Sequence, residues 1–182
     1  MIDSANNDRN GAARGAILGR IRAGRRRGAV DELTAKRLAA HLSGHRRGTV
    51  PKRVALDAEA LVALFVEQAE ALSATVDRVA SAADVPGAVA EYLARENLPA
   101  RLRAAPTPAL RDLPWSSRPA LEVSYGASDG GDEVGMAGAF AAVAETGTLI
   151  FVSGAERPTT LNFLPDTHIV LLRRDQVVGP YE

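Results

Sequence analysis

A short polar turn ahead of an apolar run is the part of this chain best suited to binding chemistry. Glu145, Thr146, Gly147 and Thr148 come directly before the strand-forming run Leu-Ile-Phe-Val. Gly147 permits backbone shapes closed to other residues, so the two threonine hydroxyls can converge on one ligand beside the Glu145 carboxylate. That carboxylate can serve as a base, nucleophile or hydrogen-bond acceptor, which makes Glu145 the candidate catalytic residue. The alternative is an ordinary hairpin turn in which Glu145 accepts hydrogen bonds from the amides of its own turn.

A second set of polar residues follows the same apolar run. Arg157, Thr159, Thr160 and Asn162 carry the guanidinium, hydroxyl and amide donors that bind a carboxylate or a phosphate. Prolines at both ends of this segment stiffen it. We therefore expect an anion-binding loop here, and the alternative is a polar surface connection between two strands.

His168 opens the apolar run Ile-Val-Leu-Leu and is the one histidine outside the N-terminal third. It either contacts a ligand or bonds to a neighbouring backbone group. The turn 145–148 and the loop 157–162 flank one predicted strand, so we expect them to face a single pocket with His168 in it or beside it. The other two histidines have no carboxylate nearby in a metal-binding arrangement, and no metal site is expected.

Three motifs carry a resemblance to a known family. They are Ala-Glu-Thr-Gly-Thr-Leu-Ile-Phe at 144–151, Arg-Pro-Thr-Thr-Leu-Asn-Phe-Leu-Pro at 157–165 and Thr-His-Ile-Val-Leu-Leu-Arg-Arg-Asp-Gln-Val-Val at 167–178. Together they resemble the LUD-domain proteins of the lactate utilisation protein C family (LutC/YkgG). The resemblance is specific over Val134 to Val178, looser over Leu61 to Tyr125 and poor over the first fifty residues. It implies an α/β fold, the three-layer NagB/RpiA/CoA transferase-like fold, in which coenzyme A transferases use a glutamate nucleophile.

The resemblance also implies a function. LutC-type proteins belong to a cytoplasmic LutABC-type system that oxidises L-lactate to pyruvate, in which LutA-like and LutB-like partners carry iron–sulfur clusters. This chain has no cysteine, so it lacks thiolate ligands for a cluster of its own, and we expect no cofactor in it. The expected role is an accessory or ligand-binding subunit for a small anionic ligand. The alternative is a stand-alone isomerase/CoA-transferase-like enzyme acting on a small anionic substrate, and self-association into a homo-oligomer is left open.

Charge is distributed unevenly along the chain. Residues 1–53 contain 13 Lys or Arg against 4 Asp or Glu, whereas the remainder contains 9 against 18. We therefore divide the chain into a basic helical N-terminal arm, 1–53, and a LUD domain, 54–182. Nucleic acid is not the expected partner, because no aromatic residue precedes Phe65 to stack on bases. No segment approaches the roughly 20 apolar residues of a membrane span, and no signal sequence is recognisable, so we expect a cytoplasmic protein.

Periodicity and capping residues predict the elements that position these groups. Helices are predicted over Gly11–Gly28 and Asp31–Leu42, after the capping residues Asp57 and Asp84, and at Thr107-Pro108. Strands are predicted at Thr75–Ala80, Arg101–Arg103, Leu121–Tyr125, Phe140–Ala144, Thr148–Val152, His168–Arg173 and Gln176–Val178. The resembled family continues into a further helix and strand beyond this point, so we expect the C-terminal part of the family domain to be missing here.

Overall fold

The computed structural model describes residues 3–24, 30–44 and 48–181 and divides the chain into two units, Met1–Arg47 and Gly48–Glu182. The first unit contains α1 (Asp3–Gly24) and α2 (Glu32–Ser43). Asp31 caps α2 by accepting hydrogen bonds from the Thr34 amide at 2.9 Å and the Thr34 hydroxyl at 2.7 Å. Both predicted arm helices are therefore present, and residues 25–28 of the first prediction lie outside the described residues.

The second unit alternates helices with strands, so the predicted α/β class is confirmed, while the three-layer arrangement stays a prediction. This unit includes Arg53, and the division of the chain into an arm, 1–53, and a LUD domain, 54–182, stays a prediction. Its helices and strands are α3 (Ala58–Ala71), α4 (Val85–Arg95), β1 (Arg101–Ala104), α5 (Pro108–Arg111), β2 (Glu122–Tyr125), β3 (Val134–Gly138), β4 (Ala141–Val143), β5 (Thr148–Ile150), β6 (Thr167–Leu171) and β7 (Val177–Val178).

The main sheet is parallel and has the strand order β2-β1-β3-β6. The chain leaves β1 for β2 on one side and then crosses to β3 on the other, so the topological switch point lies between β1 and β3. The apolar core packs on the sheet through alternate residues such as Leu102, Val134 and Met136, against Val89 and Leu93 of α4. This burial of aliphatic side chains stabilises the packing of α4 on the sheet.

A smaller sheet with the order β5-β4-β7 extends from the main one. β4 follows β3 after two residues and pairs with β7 in parallel, while β5 returns antiparallel to β4. The Gln176 side-chain amide donates to the carbonyl oxygen of Ala139 at 2.9 Å, and the Ala139 amide donates to that of Leu171 at 3.0 Å. These bonds join the ends of β3 and β6 to the smaller sheet.

Two predictions on secondary structure are wrong. The predicted strand Thr75–Ala80 is irregular, because its side chains are exposed except for the half-buried Val76 and nothing pairs with it among the described residues. Asp84 precedes α4 but does not cap it with its side chain. Its carboxylate instead accepts hydrogen bonds from the Ser81 amide and hydroxyl, at 3.0 and 2.8 Å. The prediction for Asp57 is confirmed, since it accepts from the Ala60 amide at 2.9 Å.

The strand β3 has no counterpart in the sequence-based prediction. Its sequence, Val-Gly-Met-Ala-Gly, has weak strand propensity, and it forms a strand because it is buried between β1 and β6. A Cβ on Gly135 would lie 2.6 Å from Pro165 Cγ and 3.0 Å from the Leu161 carbonyl oxygen. The glycine therefore lets the loop before β6 pack directly on the central strand.

Within the described part of the chain, no helix has both the length and the apolar character needed to cross a membrane.

Candidate functional site

The turn between β4 and β5 holds Glu145 in an ion pair with Arg53. The Arg53 Nη2 donates to Glu145 Oε1, and the Glu145 side chain is 12% exposed against 72% for Arg53. The backbone amides of Ala144 and Glu145 donate to the carbonyl oxygens of Val178 and Gly179, at 2.8 and 3.1 Å. Glu145 is thus a hydrogen-bond acceptor, but its partner is Arg53, 92 residues away in the sequence, rather than the amides of its own turn.

The hydroxyls of the same turn are bonded to one another and to a tyrosine. Thr146 and Thr148 share a hydrogen bond of 2.8 Å between their Oγ1 atoms, and the Tyr181 hydroxyl donates to Thr148 Oγ1 at 2.9 Å. The hydroxyl of Thr148, and after it that of Thr146, lowers the pKa of Tyr181 below its ordinary value, because each can donate a hydrogen bond to the phenolate. Both threonine hydroxyls therefore already have protein partners.

Gly147 is required by packing. Its φ of +65° is in the left-handed region, and a Cβ there would lie 2.9 Å from the Ala69 nitrogen and 2.9 Å from the Gln68 carbonyl carbon. The turn thus lies directly on the backbone of the last turn of α3. We name residues 144–148, with Arg53 and Tyr181, the Glu145 turn.

A narrow cleft lies at the carboxyl ends of β1 and β3, where the strand order reverses. Its lining combines mostly apolar residues with one arginine and one asparagine: Ala105, Ala137, Gly138, Phe151, Val152, Arg157, Pro158 and Asn162. Open α/β sheets bind ligands at this position. Its volume of about 10 Å³ holds roughly one water molecule. We name it the switch-point cleft.

The loop that follows β5 supplies the polar side of this cleft. The backbone of Arg157 is held by paired hydrogen bonds with Gly154, at 3.0 and 3.2 Å, while its side chain is exposed. The fully buried Leu161 anchors the 3-10 turn Thr159–Asn162 in the core, which sets the position of Asn162. Thr159 and Thr160 are exposed and do not line the cleft.

His168 lies behind the cleft. It pairs with Gly135 in the sheet, and its ring centroid is 5.4 Å from that of Phe151, which lines the cleft. Its Nε2 is buried and has no hydrogen-bond partner among the described residues. Burial lowers the pKa of His168 below its ordinary value of 6.5, so the ring is neutral near pH 7.

The structure brings together only part of the predicted site. Arg157 and Asn162 share the switch-point cleft, with His168 one side chain behind it. The Glu145 turn precedes β5 and the loop follows it, so the two groups lie at opposite ends of a strand that spans about 10 Å. None of the residues 145–148 lines the switch-point cleft. The ligand-binding roles of these residues stay predictions. Among the described residues, no group of three or more histidine or acidic side chains is placed to hold a metal ion.

A second cleft was not anticipated from the sequence. It has a volume of about 250 Å³ and lies on the polar face of β1 and β2, lined mainly by charged groups: Arg101, Leu102, Arg103, Glu122, Ser124 and residues 131–134. We name it the sheet-face cleft. The alternation of polar and apolar residues in 101–104 and 122–125 was the available signal, because it predicts a polar face on each of two strands.

Comparison with known proteins gives two matches. The profile of the LUD domain family matches residues 130–182, a range that contains every residue of the predicted site. The crystal structure of a DUF162 family protein from Deinococcus radiodurans is similar over 69% of this chain and 76% of that chain, with 28% sequence identity and a TM-score of 0.56. No curated protein matches the chain. The two matches support the LUD-domain family and the α/β fold, and the LutC subfamily is a finer statement than they make.

Proposed function

We propose that this chain is a non-redox, ligand-binding subunit of a lactate-utilisation system of the LutABC type. The LUD match over residues 130–182 supports a role in lactate utilisation. The observation that carries the ligand-binding part is the presence of Arg157 and Asn162 in one cleft at the topological switch point.

The proposed ligand is the carboxylate of L-lactate or pyruvate. The Arg157 guanidinium can bind a carboxylate through two parallel N–H donors, and the Asn162 amide can bond the neighbouring hydroxyl or keto oxygen. Ala137 and Phe151 form an apolar wall for the methyl group. A volume of about 10 Å³ is too small for a three-carbon acid. Binding therefore requires the exposed Arg157 side chain to move outward and enlarge the cleft.

The redox chemistry is assigned to partners. A chain without cysteine cannot hold a thiolate-ligated cluster, so electrons from lactate go to iron–sulfur proteins of the LutA and LutB kind. The same proposal places this chain in the cytoplasm and gives it a small anionic ligand. The ion pair with Arg53 favours this role over a stand-alone coenzyme A transferase-like enzyme, because the Arg53 guanidinium occupies an oxygen of the Glu145 carboxylate that a nucleophile needs free.

Growth on L-lactate tests the proposal. In a strain that lacks the gene for this protein, the wild-type chain is expected to restore growth and Arg157→Gln to fail while remaining soluble. Arg78→Gln is the matched control, since Arg78 is an exposed arginine that pairs with Glu59 at 2.8 Å and does not line the switch-point cleft. Full growth with Arg157→Gln, or the same defect in both variants, would contradict the proposal.

A further inference from the structure

The sheet-face cleft carries charges that the proposed function does not use. Arg101 and Arg103 lie two residues apart on β1, and Glu122 and Ser124 are their register partners on β2. Because side chains alternate between the two faces of a strand, all four project from the same face. Neighbouring strands are about 4.8 Å apart, so the side chains of Arg101 and Glu122 leave the sheet next to each other at about that distance.

Each of the two arginines uses only some of its N–H donors in ion pairs with neighbouring carboxylates. The Arg101 Nη2 donates to Glu133 at 3.3 Å, and the Arg103 Nε donates to both carboxylate oxygens of Asp132 at 3.2 and 3.3 Å. Each guanidinium has five N–H donors, and each of these pairs occupies one nitrogen. Within the described residues, the remaining nitrogens have no protein acceptor, so they can bind an oxyanion in the cleft.

Glu122 has no such partner. It is exposed, and it takes part in none of the ion pairs formed by the described residues, although Arg101 is its register partner. With Asp132 and Glu133 balancing the two arginines, Glu122 leaves the cleft with one net negative charge. A simple carboxylate would add to that charge, whereas a ligand that also carries an ammonium group would not.

We propose that the sheet-face cleft binds a small zwitterion of the α-amino-acid class. Spare guanidinium N–H groups of Arg101 and Arg103 hold its carboxylate, and the Glu122 carboxylate holds its ammonium group. The volume of about 250 Å³ accommodates a small amino acid. This site lies near the amino ends of β1 and β2, whereas the switch-point cleft lies at the carboxyl ends of β1 and β3, so the two sites are separate.

Calorimetric titration of the full chain with four related small molecules tests this site. The probes are L-alanine, propionate, ethylamine and L-lactate, which share a short carbon skeleton and differ in the charged groups they carry. L-Alanine is expected to bind at least about tenfold more tightly than propionate or ethylamine, since each of these lacks one of the two charge-assisted contacts. L-Alanine binding no tighter than that of propionate, or no L-alanine binding, would overturn the proposal.

Single-residue variants test whether L-alanine binds in the sheet-face cleft. Glu122→Gln is expected to weaken L-alanine about tenfold and not to weaken propionate, because it removes a negative charge that repels a simple carboxylate, while Arg101→Gln weakens both. Glu91→Gln, an exposed glutamate on α4, is the matched control and is expected to change neither. Arg157→Gln is expected to affect L-lactate and not L-alanine, so failure of the lactate proposal and failure of this one give different results. Unchanged L-alanine binding by Glu122→Gln would refute the site.

Discussion

The Glu145 turn and the Arg157 loop carry similar polar residues on either side of β5, yet their surroundings differ. In the Glu145 turn, the carboxylate bonds to Arg53 and the threonine hydroxyls bond to each other and to Tyr181. In the loop, the Arg157 side chain is exposed and lines a cleft with Asn162. A polar turn whose groups are bonded within the protein has a structural role, whereas polar residues that line a cleft can bind a ligand.

The largest expected loss of stability comes from a substitution of Gly147 in the Glu145 turn. Gly147→Ala adds a left-handed strain of about 1 kcal/mol and a clash with the α3 backbone worth about 1–3 kcal/mol, because Cβ would lie 2.9 Å from the Ala69 nitrogen. We expect the free energy of unfolding in urea to fall by about 3 kcal/mol. Gly154→Ala is the control, since nothing lies within 4 Å of its Cβ. Equal effects of the two changes would contradict the packing role of Gly147.

The next largest effect concerns the support of the loop. Gly135→Ala places a methyl 2.6 Å from Pro165 Cγ, and the proline ring cannot rotate away, so we expect a loss of about 2 kcal/mol in unfolding free energy. Gly138→Ala on the same strand meets only the Leu171 carbonyl oxygen, at 3.9 Å, and should be nearly neutral. Limited proteolysis should also cut the loop faster in the first variant. A loop equally resistant in both variants would show that β3 does not support it.

A double-mutant cycle tests whether Glu145 and Arg53 stabilise the fold through their ion pair. Glu145→Gln and Arg53→Gln should each cost about 1 kcal/mol, and the double variant about the same, because both remove a single ion pair. Fully additive losses in urea unfolding would show that the two side chains do not interact. The sequence alone predicts instead that Glu145→Gln abolishes growth on lactate with the fold intact. That prediction stays untested, and growth with this variant decides between a ligand contact and a structural role.

The smallest expected effect is the pH dependence due to His168. Burial lowers its pKa below 6.5 in the folded chain, so between that lowered pKa and 6.5 the unfolded chain binds a proton that the native state does not. The stability of the native state therefore falls as pH decreases through this window. His168→Leu removes the titrating group and should flatten this part of the pH profile in urea unfolding at pH 7.5 and 5.5. Parallel profiles for both proteins would contradict the burial of a neutral ring.

Local patterns in the sequence predicted what depends on local residues. Asp57 capping, the strand at Arg101–Arg103 and the turn at Gly147 follow from capping, alternation and turn chemistry, and the structure contains all three. Long-range proximity was not predictable. The ion pair between Arg53 and Glu145 joins positions 92 residues apart, and β3 forms a strand because of its neighbours rather than its own propensity.

Calorimetric titration of L-lactate tests whether the carboxylate ligand binds at the Arg157 loop and not at the Glu145 turn. The measurement uses the purified wild-type chain, Arg157→Gln and Glu145→Gln. We expect wild type and Glu145→Gln to bind L-lactate with similar affinity and Arg157→Gln to bind at least about tenfold more weakly. Loss of binding in Glu145→Gln, with binding retained in Arg157→Gln, would place the ligand at the Glu145 turn and refute binding at the Arg157 loop.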